Sequence, residues 1–335
     1  MTSPVAPAPE VGEDLLEGVS LGKYFHQRAS ALGRSVLVRA VHEATIGIAA
    51  GETVGLVGES GSGKSTLGRL LLRLLEPSFG SVWFEGREIT FCTERELRPL
   101  RRRMQLLFQD ASASLDGRLH VDEIVTEPLR IHGERGAAEL RERARALLTR
   151  VGLEPGLGLR RPAELSSGEC QRVSLARALA LAPRVLLCDE PVAALDPSEQ
   201  LAMLELLHEL SRSLGMAYLL ISHDLRLVLG SSERVYVMYA GRIVEAAPSS
   251  ELRQGARHPY TRALLHALPS LDPRRRRLRV VVEGEPPSPF QPVEGCAFHP
   301  RCPRARSGVC NTETPPLAPV GEGDWHDVAC WYPYD

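Results

Sequence analysis

Gly58-Glu-Ser-Gly-Ser-Gly-Lys64-Ser65-Thr66 is a glycine-rich loop that closes on one of only two lysines in the chain. Glycine lets the backbone curl around a polyphosphate, so that successive N–H groups and the N-terminus of a following helix converge on negative charge. The flanks suit such a cradle. Thr53 to Val57 is a short apolar run with β character, and Leu67, Leu70, Leu71, Leu74 and Leu75 fall on one helical face. Strand, loop and helix in that order are the context that the pattern G-x-x-x-x-G-K-[ST] requires. Gly58, Ser60, Gly61, Gly63 and Thr66 shape the cradle, Lys64 adds a compact cation at the β- and γ-phosphates, and the Ser65 hydroxyl is a ligand for Mg²⁺. Arginine supplies almost every other positive charge, so a lysine here indicates a point charge where a planar fork would not fit.

At 335 residues the chain exceeds the roughly 250 to 300 at which one core stops growing, which predicts two units of unequal size. Apolar residues make up 43% and support a large core, while a net charge of −2 gives no reason to expect wholesale nucleic-acid binding. Arg274 to Arg277 is locally basic but lacks interleaved aromatics, and reads as a solvated linker. No run approaches the ~18 uncharged apolar residues of a spanning helix, and the N-terminus lacks the regions of a signal peptide. The expectation is a soluble, cytoplasmic protein that meets the membrane through partners. The first 18 residues, rich in Pro, Ala and Glu, are expected to be disordered.

From about Val19 to Ala247 short β-branched or leucine runs alternate with helical patterns, which predicts an α/β layer architecture. Thr53–Val57, Val185–Cys188 and Tyr218–Ile221 read as buried strands whose C-terminal ends carry Gly58, Asp189 and His223. Ligands of open α/β sheets bind off such ends. Residues 109 to 165 turn helical and charged, with a helix over Glu139 to Val151 capped by Gly152. After Gly255 Pro, Arg and Cys replace periodic leucines, marking a small C-terminal unit.

Four further elements follow the loop. Met104-Gln-Leu-Leu-Phe-Gln109 brings a polar amide to a strand end. Leu165-Ser-Ser-Gly-Glu-Cys-Gln-Arg172 precedes a helix expected from near Gln171, placing Ser166 and the Gly168 backbone at another positive helix end. Val185-Leu-Leu-Cys-Asp-Glu190 presents two adjacent carboxylates, and Leu219-Leu-Ile-Ser-His223-Asp224 an imidazole. Phosphoryl transfer to water asks for positioned charge and an oriented nucleophile. Asp189 and Ser65, with Gln109, form the expected magnesium environment, largely through water. Glu190 is the general base, and Gln109 and His223 reach the γ-phosphate. Singly, a Gln at a strand end or a His beside a strand is an ordinary surface or packing residue; the order and spacing argue for function.

Together these motifs resemble the ATP-binding cassette family across about Val19 to Ala247: the loop (GESGSGKST), Q-loop (LLFQD), signature (LSSGECQR), Walker B (VLLCDEP), D-loop (AALD) and switch histidine (ISHD). The resemblance implies a P-loop NTPase domain over 19–255 with a helical subdomain at about 109–165. It implies a head-to-tail dimer in which two ATP molecules lie between the loop of one subunit and the signature of the other, Ser166 and Gly168 serving the partner's ATP. The helical segment then transmits motion to a membrane partner. It also implies an aromatic stacked on adenine, matching Phe25 or Tyr24 in Lys23-Tyr-Phe, for which core packing is the alternative reading.

Three positions depart from the family pattern. Ser167 replaces the first glycine of L-S-G-G-Q, Glu169 replaces its glutamine, and Ala193 stands where the D-loop often has serine. A positive φ at Ser167 would cost about 1 kcal/mol, and Glu169 puts negative charge near a polyanion. The site completed by this signature is therefore expected to be the weaker one. A nearly inactive regulatory subunit is the extreme form of that reading, and Glu190 and His223 argue against it.

Four of the seven cysteines, Cys296, Cys302, Cys310 and Cys330, lie in the last forty residues. An ATP-dependent protein works in a reducing compartment, which disfavours disulfides. The spacing lacks the paired C-x-x-C of zinc ribbons, yet zinc and an iron–sulfur cluster both stay open, as does no metal. His299 and His326 are treated as non-ligands, and Cys92, Cys170 and Cys188 as small packing residues. Arg257-His-Pro-Tyr-Thr-Arg-Ala-Leu-Leu265, Gly284-Glu-Pro-Pro-Ser-Pro289 and Gly295-Cys-Ala-Phe-His-Pro-Arg-Cys-Pro303 resemble the C-terminal extension of oligopeptide and dipeptide importer ATPases, here 256–335. This resemblance implies two different ATPase subunits, two membrane permease subunits and an extracytoplasmic substrate-binding protein, with the chain on the cytoplasmic face of the membrane. Gly63-Lys-Ser-Thr-Leu-Gly-Arg69 looks like the F-type subunit rather than the D-type. The four tail cysteines match positions associated with a [4Fe-4S] cluster. Nickel or another small solute is an alternative cargo. A soluble cassette ATPase acting on nucleic acid or ribosomes is disfavoured by the single cassette and the lack of a heptad run.

Overall fold

The computed structural model describes residues 14–28, 35–267, 284–288, 290, 293–321 and 325–335. The Arg274–Arg277 run lies outside them. In chain order the strands are β1 (Leu16–Arg28), β2 (Ser35–Ile48), β3 (Thr53–Val57), β4 (Phe79–Phe84), β5 (Arg87–Glu88), β6 (Met104–Leu107), β7 (Val185–Asp189), β8 (Ala217–Ser222), β9 (Arg234–Tyr239), β10 (Arg242–Pro248), β11 (Ala318–Pro319) and β12 (Asp327–Val328). They form a four-stranded sheet, β2-β1-β4-β5, and an eight-stranded one, β11-β12-β10-β9-β3-β8-β7-β6. The centre of the larger sheet, β9-β3-β8-β7-β6, is parallel.

Those central strands are continuous apolar runs because both faces are covered. Alternate residues go to opposite cores. Leu187 of β7 and Leu219 and Ile221 of β8 join the cluster shared with the smaller sheet, while Leu186, Cys188, Tyr218 and Leu220 join the larger cluster on the other face. The loop helix Lys64–Leu71 lies on the first of these faces. Its Gly68 permits the close approach, since a Cβ there would come within 2.9 Å of Ile221 and 3.0 Å of Leu187.

Several local expectations shift. The loop helix ends at Leu71 and Arg73 turns to φ 51, so Leu74 leaves the helical face and is 45% exposed. Order begins before residue 18: Leu15 and Leu16 are buried, and the Leu15 N–H donates to the Ile48 carbonyl at 2.8 Å. The helix expected near Gln171 starts at Ser167. Between 109 and 165 lie the helices Ala111–Ser114, Val121–Ile131 and Ala137–Arg150, the last followed by Gly152 at φ 73.

The C-terminal extension shares the core of the rest of the chain. Tyr260 and Phe298 are fully buried in the larger cluster, with rings 4.6 and 5.3 Å from Tyr239 of β9. Strand β12 pairs Val328 with Glu245 of β10. Among the described residues no helix is long and apolar enough to cross a membrane.

Candidate active site

Strands β3, β8 and β7 are neighbours, so their C-terminal ends bring Gly58, His223 and Asp189 to one edge, where ligands of parallel sheets bind. The loop between β3 and the loop helix is tightly threaded. A side chain at Gly58 would meet the Met238 carbonyl oxygen at 2.1 Å, and Gly63, at φ 105, has the Ala40 carbonyl oxygen 2.2 Å from where a Cβ would stand. Gly63 is also the N-cap, without a side-chain cap, and the first helical turn holds no acidic residue. The leading N–H groups of that helix are thus left for a ligand.

Lys64 is buried, and its ammonium donates to the Gly58 and Glu59 carbonyl oxygens at 2.8 and 2.9 Å. Burial lowers its pKa, with Glu190, Asp189 and Glu59 opposing. A cavity of about 720 Å³ opens over the loop and is lined by Ser60, Gly61, Gly63, Lys64, Ser65 and Thr66. Gln109, Glu190 and His223 line it as well.

The Ser65 hydroxyl donates to Asp189 Oδ1 at 2.9 Å. Burial pushes the Asp189 carboxyl up, against the pull of that hydroxyl, Arg69 and Lys64. A serine hydroxyl beside a carboxylate is a hard oxygen pair of the kind Mg²⁺ accepts while keeping most of its waters. Glu190 ties the remaining residues together. Its carboxylate accepts from Gln109 Nε2 at 3.0 Å, and its other oxygen lies 3.3 Å from His223 Nδ1. Gln109 thus meets Glu190 directly.

Glu190 carries a feature that sequence reasoning did not show: φ of 48, with its N–H donating to the Ile221 carbonyl at 2.9 Å. A non-glycine residue in the left-handed region is strained, and such strain gathers at functional positions. Here it turns the carboxylate from the end of β7 toward Gln109 and His223.

Neither candidate aromatic lines the cavity. Tyr24 is committed to packing: its hydroxyl bonds His42 Nδ1 and its ring meets Phe79 edge-on at 5.4 Å. Phe25 is 37% exposed and stands opposite Val38, which does line the cavity. Tyr24's cross-strand partner Arg39 lines the cavity as well, so register does not separate the two; Phe25 is the better placed because Tyr24 is tied to His42 and Phe79.

The signature residues sit elsewhere. Ser166, Gly168 and Glu169 line a separate groove of about 640 Å³, and among the described residues none lines both cavities. Ser167 is the first residue of its helix and has no positive φ, so the conditional cost of strain there does not arise. Glu169 closes a capping box: it accepts from the Ser166 N–H at 2.8 Å, and its own N–H donates to the Ser166 hydroxyl at 3.2 Å. Its charge is spent on the helix end. Gly168 leaves room for Glu199, whose carboxylate would lie 2.8 Å from a Cβ.

All four tail cysteines line one small pocket with His258, Phe298 and His299. Burial raises the thiols of Cys296, Cys302 and Cys330, the last to about 11, and their neighbouring sulfurs push the same way. Four-coordinate zinc at ~2.3 Å from each sulfur would set the sulfurs about 3.8 Å apart. Among the described residues the one group with three ligand atoms within 4.8 Å of one another is His120, Asp122 and Glu123, so no three of these sulfurs are that close.

An uncapped glycine-threaded helix, a serine–carboxylate oxygen pair and a Gln–Glu–His group around one cavity define a P-loop ATPase of the cassette class. Comparison agrees. The ABC transporter family model matches residues 41–193, and the model for the oligopeptide/dipeptide transporter C-terminal region matches 244–310. The chain is 46% identical to the probable peptide ABC transporter ATP-binding protein y4tS of Sinorhizobium fredii, covering 96% of this chain and 90% of the relative. It is 42% identical to the oligopeptide transport ATP-binding protein AppF of Bacillus subtilis, covering 95% and 97%. The fold matches the dimeric post-hydrolysis state of the ATP-binding cassette MJ0796 bound to ADP and Pi, with a TM-score of 0.63 and 28% identity over 70% of this chain and 98% of that one. The chain belongs to the ABC transporter ATP-binding family, in the branch with the oligopeptide/dipeptide transporter C-terminal region, and its chemistry is Mg²⁺-dependent ATP hydrolysis.

Proposed function

We propose that this chain is the F-type ATPase subunit of a peptide importer. It pairs with a D-type paralogue on the cytoplasmic face of the membrane and drives two permease subunits fed by an extracytoplasmic substrate-binding protein. The observation that carries this reading is that likeness to peptide-import ATP-binding proteins runs through the whole chain, C-terminal region included. A relative from Haemophilus influenzae, 39% identical over 95% of this chain, is itself an oligopeptide transport ATP-binding protein, OppF.

In this role the loop N–H groups and Lys64 hold the phosphates, with Ser65 and Asp189 positioned for Mg²⁺ and Gln109 beside them. Mg²⁺, when bound, neutralises phosphate charge and helps orient the terminal phosphoryl group. Glu190 accepts a proton from the attacking water, and its bonds to Gln109 and His223 fix its carboxylate in the cavity wall. Phe25 is assigned to the adenine. Ser166, Gly168 and their helix end serve the ATP of the partner subunit, which agrees with their lining a groove separate from this chain's own cavity. The four cysteines are assigned to a [4Fe-4S] cluster on their common pocket and on the resemblance of their positions to those of the importer ATPases.

The test is reconstitution of the complete complex in vesicles, with ATP hydrolysis and uptake followed as peptide-loaded binding protein is added. Hydrolysis that rises with peptide supports the reading; hydrolysis that answers to a nickel complex and not to peptide replaces the cargo. Iron and sulfide analysis with an absorbance spectrum of anaerobically purified protein tests the cluster, and a colourless, iron-free protein removes it.

A further inference from the structure

The cavity over the phosphate loop has a second wall. Pro287, Ser288, Val293, Gly295, Ala297 and Thr314, all from the C-terminal extension, line it together with the loop. The extension also grips the loop itself. Glu59, the residue after Gly58, has its carboxylate held by both terminal nitrogens of Arg301, at 2.9 and 3.1 Å. Its N–H donates to the Tyr260 hydroxyl at 2.9 Å. Its carbonyl accepts from Lys64 at 2.9 Å. Every polar group of Glu59 is therefore engaged, two of the three by residues beyond 255.

Arg301 is well placed for this. Its side chain is 8% exposed, against 27% for Glu59, it donates to the Tyr239 hydroxyl at 3.2 Å, and it directly precedes Cys302. A carboxylate in a loop that binds a polyanion repels its ligand unless neutralised, and a bidentate arginine both cancels the charge and fixes the geometry.

We infer that Arg301 is a positioning residue for ATP: by pairing with Glu59 it removes a negative charge from the phosphate loop, making the C-terminal extension part of the nucleotide site. The inference rests on ATP binding at this loop and is independent of the transported substrate and of any cluster.

The test is equilibrium binding of a fluorescent ATP analogue to the full-length chain with Mg²⁺. Lys64→Ala is the control: binding that ignores it would mean the loop is not the nucleotide site, a failure of the site reading itself. Given Lys64-dependent binding, Arg301→Ala should weaken affinity about tenfold. Glu59→Gln in that background should restore it to within about threefold of wild type, because the unpaired charge is gone. In the assembled ATPase the same pair should move KM and leave kcat at saturation unchanged. Arg301→Ala binding within twofold of wild type overturns the inference. So does a loss that Glu59→Gln does not recover, which would mark Arg301 as a mere structural tie. If Arg301→Ala does not fold, Arg301→Lys carries the test: it keeps the charge, loses the fork, and should fall between wild type and a tenfold loss, again recovered by Glu59→Gln.

Discussion

Two helix N-termini of this molecule do opposite things with the same backbone chemistry. The loop helix Lys64–Leu71 begins at Gly63, with no side-chain cap and no acidic residue in its first turn. The signature helix Ser167–Leu179 begins at Ser166 with a complete capping box and Glu169 in its first turn. Each helix leaves its leading N–H groups without intrahelical partners. The loop helix reserves them for phosphate, whereas the signature helix satisfies part of its set from within. On the proposed head-to-tail pairing, the two halves of a shared ATP site are therefore built unequally: the loop half is incomplete without its ligand, and the signature half is stable alone. Ser166 still has a proton to donate, since its hydroxyl accepts one bond and retains its own hydrogen.

The comparison breaks most sharply on the loop side. Glu190→Gln should retain ATP binding while lowering kcat about 10³-fold, in the range for loss of a positioned general base; single-turnover hydrolysis in the assembled complex measures it. A fall of less than tenfold would move the base elsewhere. Next, Gly63→Ser offers the loop helix a side-chain cap of the kind the signature helix has. At φ 105, with the Ala40 carbonyl oxygen 2.2 Å from the new Cβ, it should distort the loop and lower ATP affinity by ~10²-fold or more. Wild-type affinity in titration calorimetry would show that the uncapped end is not reserved for phosphate.

How far these differences could be read beforehand depends on where their cause lies in the chain. Strands β3, β7 and β8 were legible because burial on both faces writes a continuous apolar run, and their polar ends gave Asp189 and His223 directly. The Gln109–Glu190–His223 group was legible as residues but not as a geometry, because the φ of 48 that aims Glu190 depends on a bond to Ile221 of the next strand. Leu74 was misread because helical periodicity persists in sequence after Arg73 has already turned the backbone. At Ser167 the family glycine left a positive φ open, where the local pattern Ser-x-x-Glu at 166–169 already spelled a capping box. The Arg301–Glu59 pair spans 242 positions, and no local pattern reports such a contact.

A smaller effect separates the cap from the chemistry on the signature side. Ser166→Ala removes the hydroxyl that accepts from Glu169 N–H, which should cost about 1 kcal/mol of stability. It should also lower ATP hydrolysis in the dimer without changing nucleotide affinity of the isolated chain, because this helix end faces a groove distinct from the chain's own cavity. Thermal unfolding and binding on the same preparation check both halves. Weakened binding in the isolated chain would mean the two cavities communicate within one subunit.

The smallest effect concerns the departures from the family signature. If Ser167 were strained, Ser167→Gly would relieve it and raise stability and ATPase rate together. Ser167 instead occupies the first helical position without positive φ, so glycine should stabilise nothing and lose up to about 0.5 to 1 kcal/mol through backbone freedom. Glu169→Gln keeps the capping box, since glutamine serves at that position, and removes one charge already partly neutralised by the helix end. The double substitution should therefore change the ATPase rate of the complete complex by no more than a few fold, and in the direction of faster turnover if at all. A tenfold rise would show that Glu169 reaches the partner's phosphates despite its cap, and the inequality between the two shared sites would then be electrostatic rather than architectural.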